Sequence, residues 1–289
     1  VIQLNDTDVV LAIDSGGTST RLAVVRANNG REICRRVLNT HPHDYDRSMK
    51  EIEQAGKFLT RDYNLVAVGV GVAGVVEKGV LTGSGNLSGW VGCDIETSLY
   101  QAFGVPVAVL NDAQAAGLGE YSALKKKRSI IYVIWGTGIG AALIIDDEGY
   151  LLPLPTELGH IVINKKSRRR KCGCGGYGHL EGEASGANIP KLRFGLRRGL
   201  KAGDLTDRQW NKPLRAMAIG LRSISTVAPG LPIVLGGGVA TKQSHRLPVL
   251  QGMVSQLKSS CPVPTLLPAE HGEDSGLVGA GFAARQLAA

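Results

Sequence analysis

Between residues 157 and 186, ELGHIVINKKSRRRKCGCGGYGHLEGEASG, the chain gathers His160, Cys172, Cys174 and His179, four side chains able to bind a soft or borderline metal, between two acids, Glu157 and Glu181. Thiolate and imidazole suit Zn²⁺, which holds them at about 2.0–2.3 Å in a tetrahedron. The expectation is a metal-pinned loop that presents two carboxylates. The basic run inside it, residues 165–171 (KKSRRRK), reads as a solvated loop, as does the run 125–128 (KKKR). Neither is interleaved with aromatic residues, so the formal charge of +8 is not assigned to a nucleic-acid partner.

A second chemical signal is repeated. Residues 9–13 (VVLAI) read as a strand running into Asp14-Ser-Gly16-Gly17-Thr18, with a second apolar stretch at 22–25 and a turn at Asn28-Asn29-Gly30. Downstream, residues 130–134 run into Gly136-Thr137-Gly138-Ile-Gly140, followed by an apolar stretch at 141–145. Gly17-Thr18 recurs 119 residues on as Gly136-Thr137, and the same step carries Gly30 onto Gly149. Glycines let backbone N–H groups approach an anion and the threonine hydroxyl adds a donor, so each hairpin tip can hold phosphate oxygens. Only the first copy has a carboxylate, Asp14, where the second has Ile134, and Mg²⁺ accompanying nucleotide phosphates needs one or two such groups. Repetition on this scale predicts two related lobes.

The elements that must position these groups alternate between helix and strand. Residues 46–59 carry Met49, Ile52, Ala55, Phe58 and Leu59 at helical spacing, and 65–72 form a buried-type strand. Residues 83–90 (GSGNLSGW) are a polar loop in which Asn86 offers a donor and an acceptor to a hydroxylated ligand. A strand at 105–110 ends at Asn111-Asp112, before a small-residue helix at 113–121. A carboxylate at the carboxyl end of a strand sits where α/β folds place their chemistry. The alternative for Asp112 is helix N-capping. Further on come a helix at 215–227, a strand at 232–235, the turn Gly236-Gly237-Gly238-Val-Ala240 and a capped small-residue helix from Asp274. The glycine turn would allow close approach of a nucleoside.

At 289 residues and 43% hydrophobic, with no apolar run long enough to cross a bilayer, the chain is expected to be a soluble enzyme of two domains or one large one. Its polar start, VIQLNDTD, lacks the form of a signal peptide, and the expected location is the cytoplasm. Five cysteines, at 34, 93, 172, 174 and 261, do not make a disulfide framework.

The ordered set of residues 14–18 (DSGGT), 85–90 (GNLSGW), 111–116 (NDAQAA), 136–140 (GTGIG), 157–160 (ELGH), 172–174 (CGC) and 235–238 (LGGG) resembles the ROK family of sugar kinases, named for repressors, open reading frames and kinases. The resemblance runs from about residue 9 to residue 285. It implies an actin-like, hexokinase-type α/β fold of two lobes, with ATP and a hexose meeting in a cleft between them. The lobes are expected at 1–112 and 113–289, the last helix packing back on the first. Carried over, Asp112 would be the general base at the sugar O6 hydroxyl, and Asn86, Asn111, Glu157, His160 and Glu181 would hold the other hydroxyls. Asp14 would orient hydrated Mg²⁺, a transient companion of ATP. Gly16, Gly17, Thr18, Thr137 and Gly138 would contact phosphates, Gly237 and Gly238 the nucleoside. Zn²⁺ on His160, Cys172, Cys174 and His179 would be structural, and a homodimer or homotetramer is implied.

The sequence departs from the family at Ser19, where a lysine is common, and at His179, where the third cysteine of the zinc loop is expected. The leading activity is transfer of the ATP γ-phosphoryl group to the 6-hydroxyl of a hexose, glucose first, with N-acetylmannosamine, N-acetylglucosamine and other aminosugars as alternatives. The family also includes sugar-sensing repressors with an N-terminal helix-turn-helix; strand one is expected to begin near Val9, which leaves no room for that module within these residues. A further alternative is therefore a sugar-sensing regulator lacking its DNA-binding module, the module itself being expected only if an upstream segment was removed. Polyphosphate in place of ATP is a third reading, to which the run 165–171 would add attraction.

Overall fold

Strand β1 (Asp8–Ser15) is buried along nearly its whole length because helices cover both faces of its sheet. Alternation divides its side chains. Val9, Leu11 and Ile13 pack with Ile52, Ala55 and Leu99, whereas Val10 and Ala12 pack with Leu277, Ala280 and Ala284. The computed structural model describes residues 4–167, 170–189 and 205–288. The chain divides into two units, Val1–Ala123 with Asp274–Ala289, and Leu124–Glu273.

In the first unit, β2 (Ser19–Arg26) and β3 (Glu32–Asn39) extend β1 on its antiparallel side, and β4 (Asn64–Val72) and β7 (Val107–Asn111) on its parallel side, in the order β3-β2-β1-β4-β7. A short ribbon, β5 (Val75–Glu77) and β6 (Val80–Gly83), lies between β4 and β7 in sequence. Helix α1 (Tyr45–Thr60) starts where Asp44 accepts from the Arg47 N–H at 3.1 Å, and α2 (Ile95–Phe103) where Asp94 accepts from Thr97 at 2.9 Å. Phe58, expected on the apolar face of α1, is 55% exposed, its ring 4.3 Å under the Arg61 guanidinium.

Helix α3 (Asp112–Ala123) belongs to this first unit, although the sequence reading put the lobe boundary at 112. The physical reason is its contact with the last helix, α8 (Ser275–Ala288). A Cβ at Gly279 would collide with the Ala115 carbonyl, and one at Gly119 with the Ser275 carbonyl. The small residues at both ends of the chain's first unit therefore allow two helix backbones to touch.

The second unit repeats the topology. Strands β8 (Ile130–Trp135), β9 (Ile139–Asp147), β10 (Tyr150–Thr156), β11 (Ile233–Gly236) and β12 (Leu266–Pro268) lie in the order β10-β9-β8-β11-β12 with the same pattern of antiparallel and parallel pairs. Ile131, Val133 and Trp135 pack with Trp210, Leu214 and Met217 of a long helix. The edge strands β3 and β10 were not read from sequence, because edges expose alternate residues and carry little apolar signal. Among the described residues the unit's α-helices are α4 (Leu180–Ala184), α5 (Asp207–Val227), α6 (Gly237–Lys242) and α7 (Leu247–Gln256). Helix α5 begins eight residues before its expected start, nucleated by a capping box between Thr206 and Gln209. Among the described residues no helix is long and apolar enough to cross a membrane.

Candidate active site

The two hairpins differ by one residue at the tip. Ser15 pairs with Thr20 across the first, Trp135 with Ile139 across the second. The step of 119 therefore holds after the tip and becomes 120 before it, which places Asp14 opposite Arg21 and its counterpart Ile134 opposite Gly140. Thus the one tip that carries a carboxylate also carries a guanidinium facing it.

Asp14 is ion-paired with Arg21, which also bonds Asp274 at 3.2 Å, and Asp274 in turn bonds Arg35 at 3.0 Å. Burial raises the Asp14 carboxyl above the usual range, and Arg21 opposes that rise. Asp274, read as a helix cap, spends one oxygen on each arginine. In the same unit the strands β1, β4 and β7 run in register, so Ser15, Val72 and Asn111 share a row at their carboxyl ends. Asp14 and Asp112 therefore stand at the same edge of one sheet. Gly17 faces Asn86 so closely that a Cβ there would lie 3.0 Å from the Asn86 Cβ and carbonyl oxygen. Thr18 is exposed, and its carbonyl accepts from the Thr40 N–H at 3.1 Å.

The capping role goes to Asn111. Its side-chain oxygen accepts from the Gln114 N–H at 2.7 Å, and Gln114 Oε1 accepts from the Asn111 N–H at 3.0 Å, a reciprocal box. Asp112 is the first residue of α3, half-buried, with Oδ1 accepting from the Ala113 N–H at 2.9 Å. Gln114 and Arg21 were not picked out from the sequence. An N-x-x-Q pattern before a helix, and an acid and a base placed opposite each other across a hairpin, were the signals available.

In the second unit the tip 136–138 is gripped from several sides. Gly136 accepts from the Gly186 N–H at 2.8 Å and Thr137 from the Ala187 N–H at 3.1 Å. A Cβ on Gly136 would lie 3.9 Å from the Gly238 nitrogen, so the glycine turn 236–238 borders the tip. Gly237 takes φ +87° and opens α6. At the carboxyl ends of β8, β11 and β12, Trp135, Leu235 and Pro268 join Ala240, Thr241 and Arg246 around a cavity of about 370 Å³. An apolar crevice there, beside a phosphate-type tip, suits a flat heterocycle.

His160, Cys172, Cys174 and His179 do converge: one ligand atom from each lies within 4.8 Å of all the others. Cys172 Sγ is 3.2 Å from His160 Nδ1, and Cys174 Sγ is 3.2 Å from His179 Nδ1. Tetrahedral zinc places its ligands roughly 3.3–3.8 Å apart, so this set fits the metal in chemistry and nearly in spacing. The imidazole at 179 has room because Gly176 lacks the Cβ that would strike its ring. Burial pushes the Cys172 thiol up to about 12, and the Glu181 carboxylate beside it acts in the same sense. Glu157 is exposed, with Oε2 3.5 Å from His160 Nε2. Glu181 Oε1 accepts from Gly173 N–H at 3.3 Å and from Cys172 Sγ at 3.2 Å, while Oε2 accepts from Ile139 N–H at 3.1 Å.

The basic run needs a correction. Arg170 is not a solvated side chain: it is 10% exposed and paired with Glu183, itself 3% exposed, on α4. Residues 168 and 169 lie outside the described residues. Lys125, Lys126, Lys127 and Arg128 are exposed, as expected.

Paired glycine tips on duplicated sheets, an edge carboxylate and a Cys2His2 loop occur together here, and the model of the family described as "ROK family" matches residues 10–286. The chain belongs to the ROK family. It is 27% identical to an N-acetylmannosamine kinase of Escherichia coli O6:H1, over 94% of this chain and 97% of that protein. Among solved structures, a ROK hexokinase from Thermus thermophilus superposes with a TM-score of 0.81 at 28% identity, covering 96% of this chain and 98% of that one. A ROK family glucokinase from Streptomyces griseus, solved with glucose and AMPPNP, gives 0.78 at 25%, covering 96% and 99%. The two repeated sheets are thus those of the actin-like fold that ROK sugar kinases share.

Proposed function

We propose that this ROK protein is an ATP-dependent sugar kinase that transfers the γ-phosphoryl group to the 6-hydroxyl of a hexose-type sugar. The observation that carries the reading is Asp112, fixed at the start of α3 by the Asn111–Gln114 box, at the same sheet edge as Asp14. Phosphoryl transfer asks a protein mainly to align the nucleophile and to neutralise spreading charge. Asp112 would accept the hydroxyl proton as the oxygen attacks phosphorus and the bond to the leaving nucleoside diphosphate breaks. Asn86, Asn111, Glu157, His160 and Glu181 would orient the remaining hydroxyls. Backbone and hydroxyl donors at Gly16, Gly17, Thr18, Thr137 and Gly138 would hold phosphates, and Gly237, Gly238 and the cavity beside Trp135 the nucleoside.

Asp14 would hold a hydrated Mg²⁺, which when bound neutralises phosphate charge. His160, Cys172, Cys174 and His179 would hold Zn²⁺, whose part is to fix the loop that carries Glu157 and Glu181.

The relatives reorder the acceptors. The sequence reading put glucose first, whereas curated relatives at 27% identity are N-acetylmannosamine kinases, and we therefore place that sugar ahead of glucose. Glucose stays second on the strength of the glucose-bound neighbour. Polyphosphate as donor falls behind ATP, because Arg170 of the basic run is engaged by Glu183. A coupled assay over N-acetylmannosamine, glucose, N-acetylglucosamine and mannose, with ATP or polyphosphate, tests this. Turnover of one of these sugars with ATP is the expected result, and sugar binding without turnover by either donor would refute it.

A further inference from the structure

Helix α4 joins the metal cluster to the second phosphate tip through a continuous set of contacts within one unit. Its N-cap residue is His179, one of the four metal-ligand side chains. Two residues on, Glu181 spans the gap: one oxygen accepts from Gly173 N–H in the cysteine loop and the other from Ile139 N–H, the first residue after the tip. At the far end, the Ala184 carbonyl accepts from Trp135 Nε1 at 2.7 Å, and the N–H groups of Gly186 and Ala187 bond the carbonyls of Gly136 and Thr137. Gly138 must lack a side chain for this bridge, since a Cβ there would lie 2.7 Å from Glu181 Oε2. Every residue of the tip is thus held, directly or through its neighbour, by α4 and the residues that follow it.

Orienting a phosphate-binding tip takes donors fixed in position, and the entropy of fixing them is met before the ligand arrives only if the supporting element is itself rigid. Helix α4 has five residues, too few to hold itself in water. His179 and Cys172, were they to hold a metal together, would fix it at both the helix start and the Gly173 end of the bridge.

Building on the kinase reading above, we propose that Glu181 is a positioning residue that couples metal occupancy of the Cys2His2 cluster to nucleotide affinity at the tip 136–138. This role is distinct from any contact with sugar, because it runs through the Gly173 and Ile139 N–H groups.

The test is AMPPNP binding with Mg²⁺ and no sugar, measured by isothermal titration calorimetry on zinc-loaded, chelated and zinc-restored wild-type protein, and on zinc-loaded Glu181→Ala and Glu181→Gln. Chelation is expected to weaken binding roughly five- to tenfold, in the usual range of coupling between sites, with recovery on restoring zinc. Glu181→Ala is expected to show the same loss and to become insensitive to chelation, whereas Glu181→Gln, which keeps one carbonyl acceptor, falls between. Circular dichroism and the thermal midpoint report folding, and should Glu181→Ala fail to fold, Glu181→Gln and the chelation arm decide. Nucleotide affinity unmoved by chelation, or unmoved in the folded Glu181 variants, overturns the coupling. A zinc-loaded wild type that binds no AMPPNP overturns the nucleotide site itself, and the coupling with it.

Discussion

His160 turns Nδ1 to Cys172 Sγ at 3.2 Å and leaves Nε2 facing Glu157, 3.5 Å from its Oε2. The two ring nitrogens thus serve two neighbourhoods, one of metal-type ligands and one of exposed acid, which is how a carboxylate orients a metal-bound imidazole.

The metal prediction follows from that division of labour. Gently purified protein is expected to carry about one equivalent of zinc by elemental analysis, and a chelator should lower its thermal midpoint, because binding to the folded state alone stabilises it. Cys174→Ser and His179→Ala should each reduce the metal content, while His179→Cys should keep it full. Protein without stoichiometric zinc, with an unchanged midpoint in chelator, would sink this reading.

For Asp112 the expected signature is a split between chemistry and binding. Asp112→Asn keeps the size of the side chain and the start of α3 but cannot take a proton, so turnover should fall by about 10²–10⁴ while sugar affinity changes only a few-fold. Asn111→Ala tests the support instead. Removing the cap should cost about 1 kcal/mol of stability by denaturant titration. Near-normal turnover in Asp112→Asn would take the base assignment away from this residue.

Much of the machinery was legible because it depends on local chemistry. The tips at 14–18 and 136–140 announce themselves through glycines that strand propensity does not tolerate, and Cys172-Gly-Cys174 through ligand type. The small-residue ends of α3 and α8 could be read as helices, but that Gly279 exists to let the Ala115 backbone approach is a fact of packing between segments more than a hundred residues apart. Arg21 was passed over because charge at a strand residue reads as an exposed face. Only the ladder register, which sets it against Asp14, gives it a task. Arg170 was hidden the same way inside a basic run, since no sequence pattern says which of several adjacent cations turns inward.

Arg21 stands opposite Asp14 at a tip where residue 19 is a serine. Joined to Asp14 and Asp274, its guanidinium holds the Asp14 carboxylate in one orientation and opposes the effect of burial. Arg21→Ala should therefore disorder Asp14, lower turnover about tenfold and raise the Mg²⁺ concentration needed for half-maximal rate, with the Michaelis constant for sugar little changed. Rates measured against Mg²⁺ at fixed ATP check this. An unaltered Mg²⁺ requirement would show that Asp14 does not rely on Arg21.

The Arg170–Glu183 pair predicts a different outcome for single and double replacement. Both side chains are nearly removed from solvent, and Glu183 Oε1 has no hydrogen-bond partner among the described residues. A buried ion pair of this kind contributes little net stability over an apolar pair, but breaking it strands a charge in the interior. Arg170→Met alone, which strands the Glu183 carboxylate, should destabilise the protein by about 3–5 kcal/mol and Glu183→Leu alone by less, whereas the double variant should recover most of the larger loss. Because the pair links the approach to Cys172 with α4, the single variants should also bind zinc more weakly than the double one. Denaturant midpoints and zinc competition on the four proteins give both readings. Additive losses in the double variant would mean that the two side chains stabilise the loop independently.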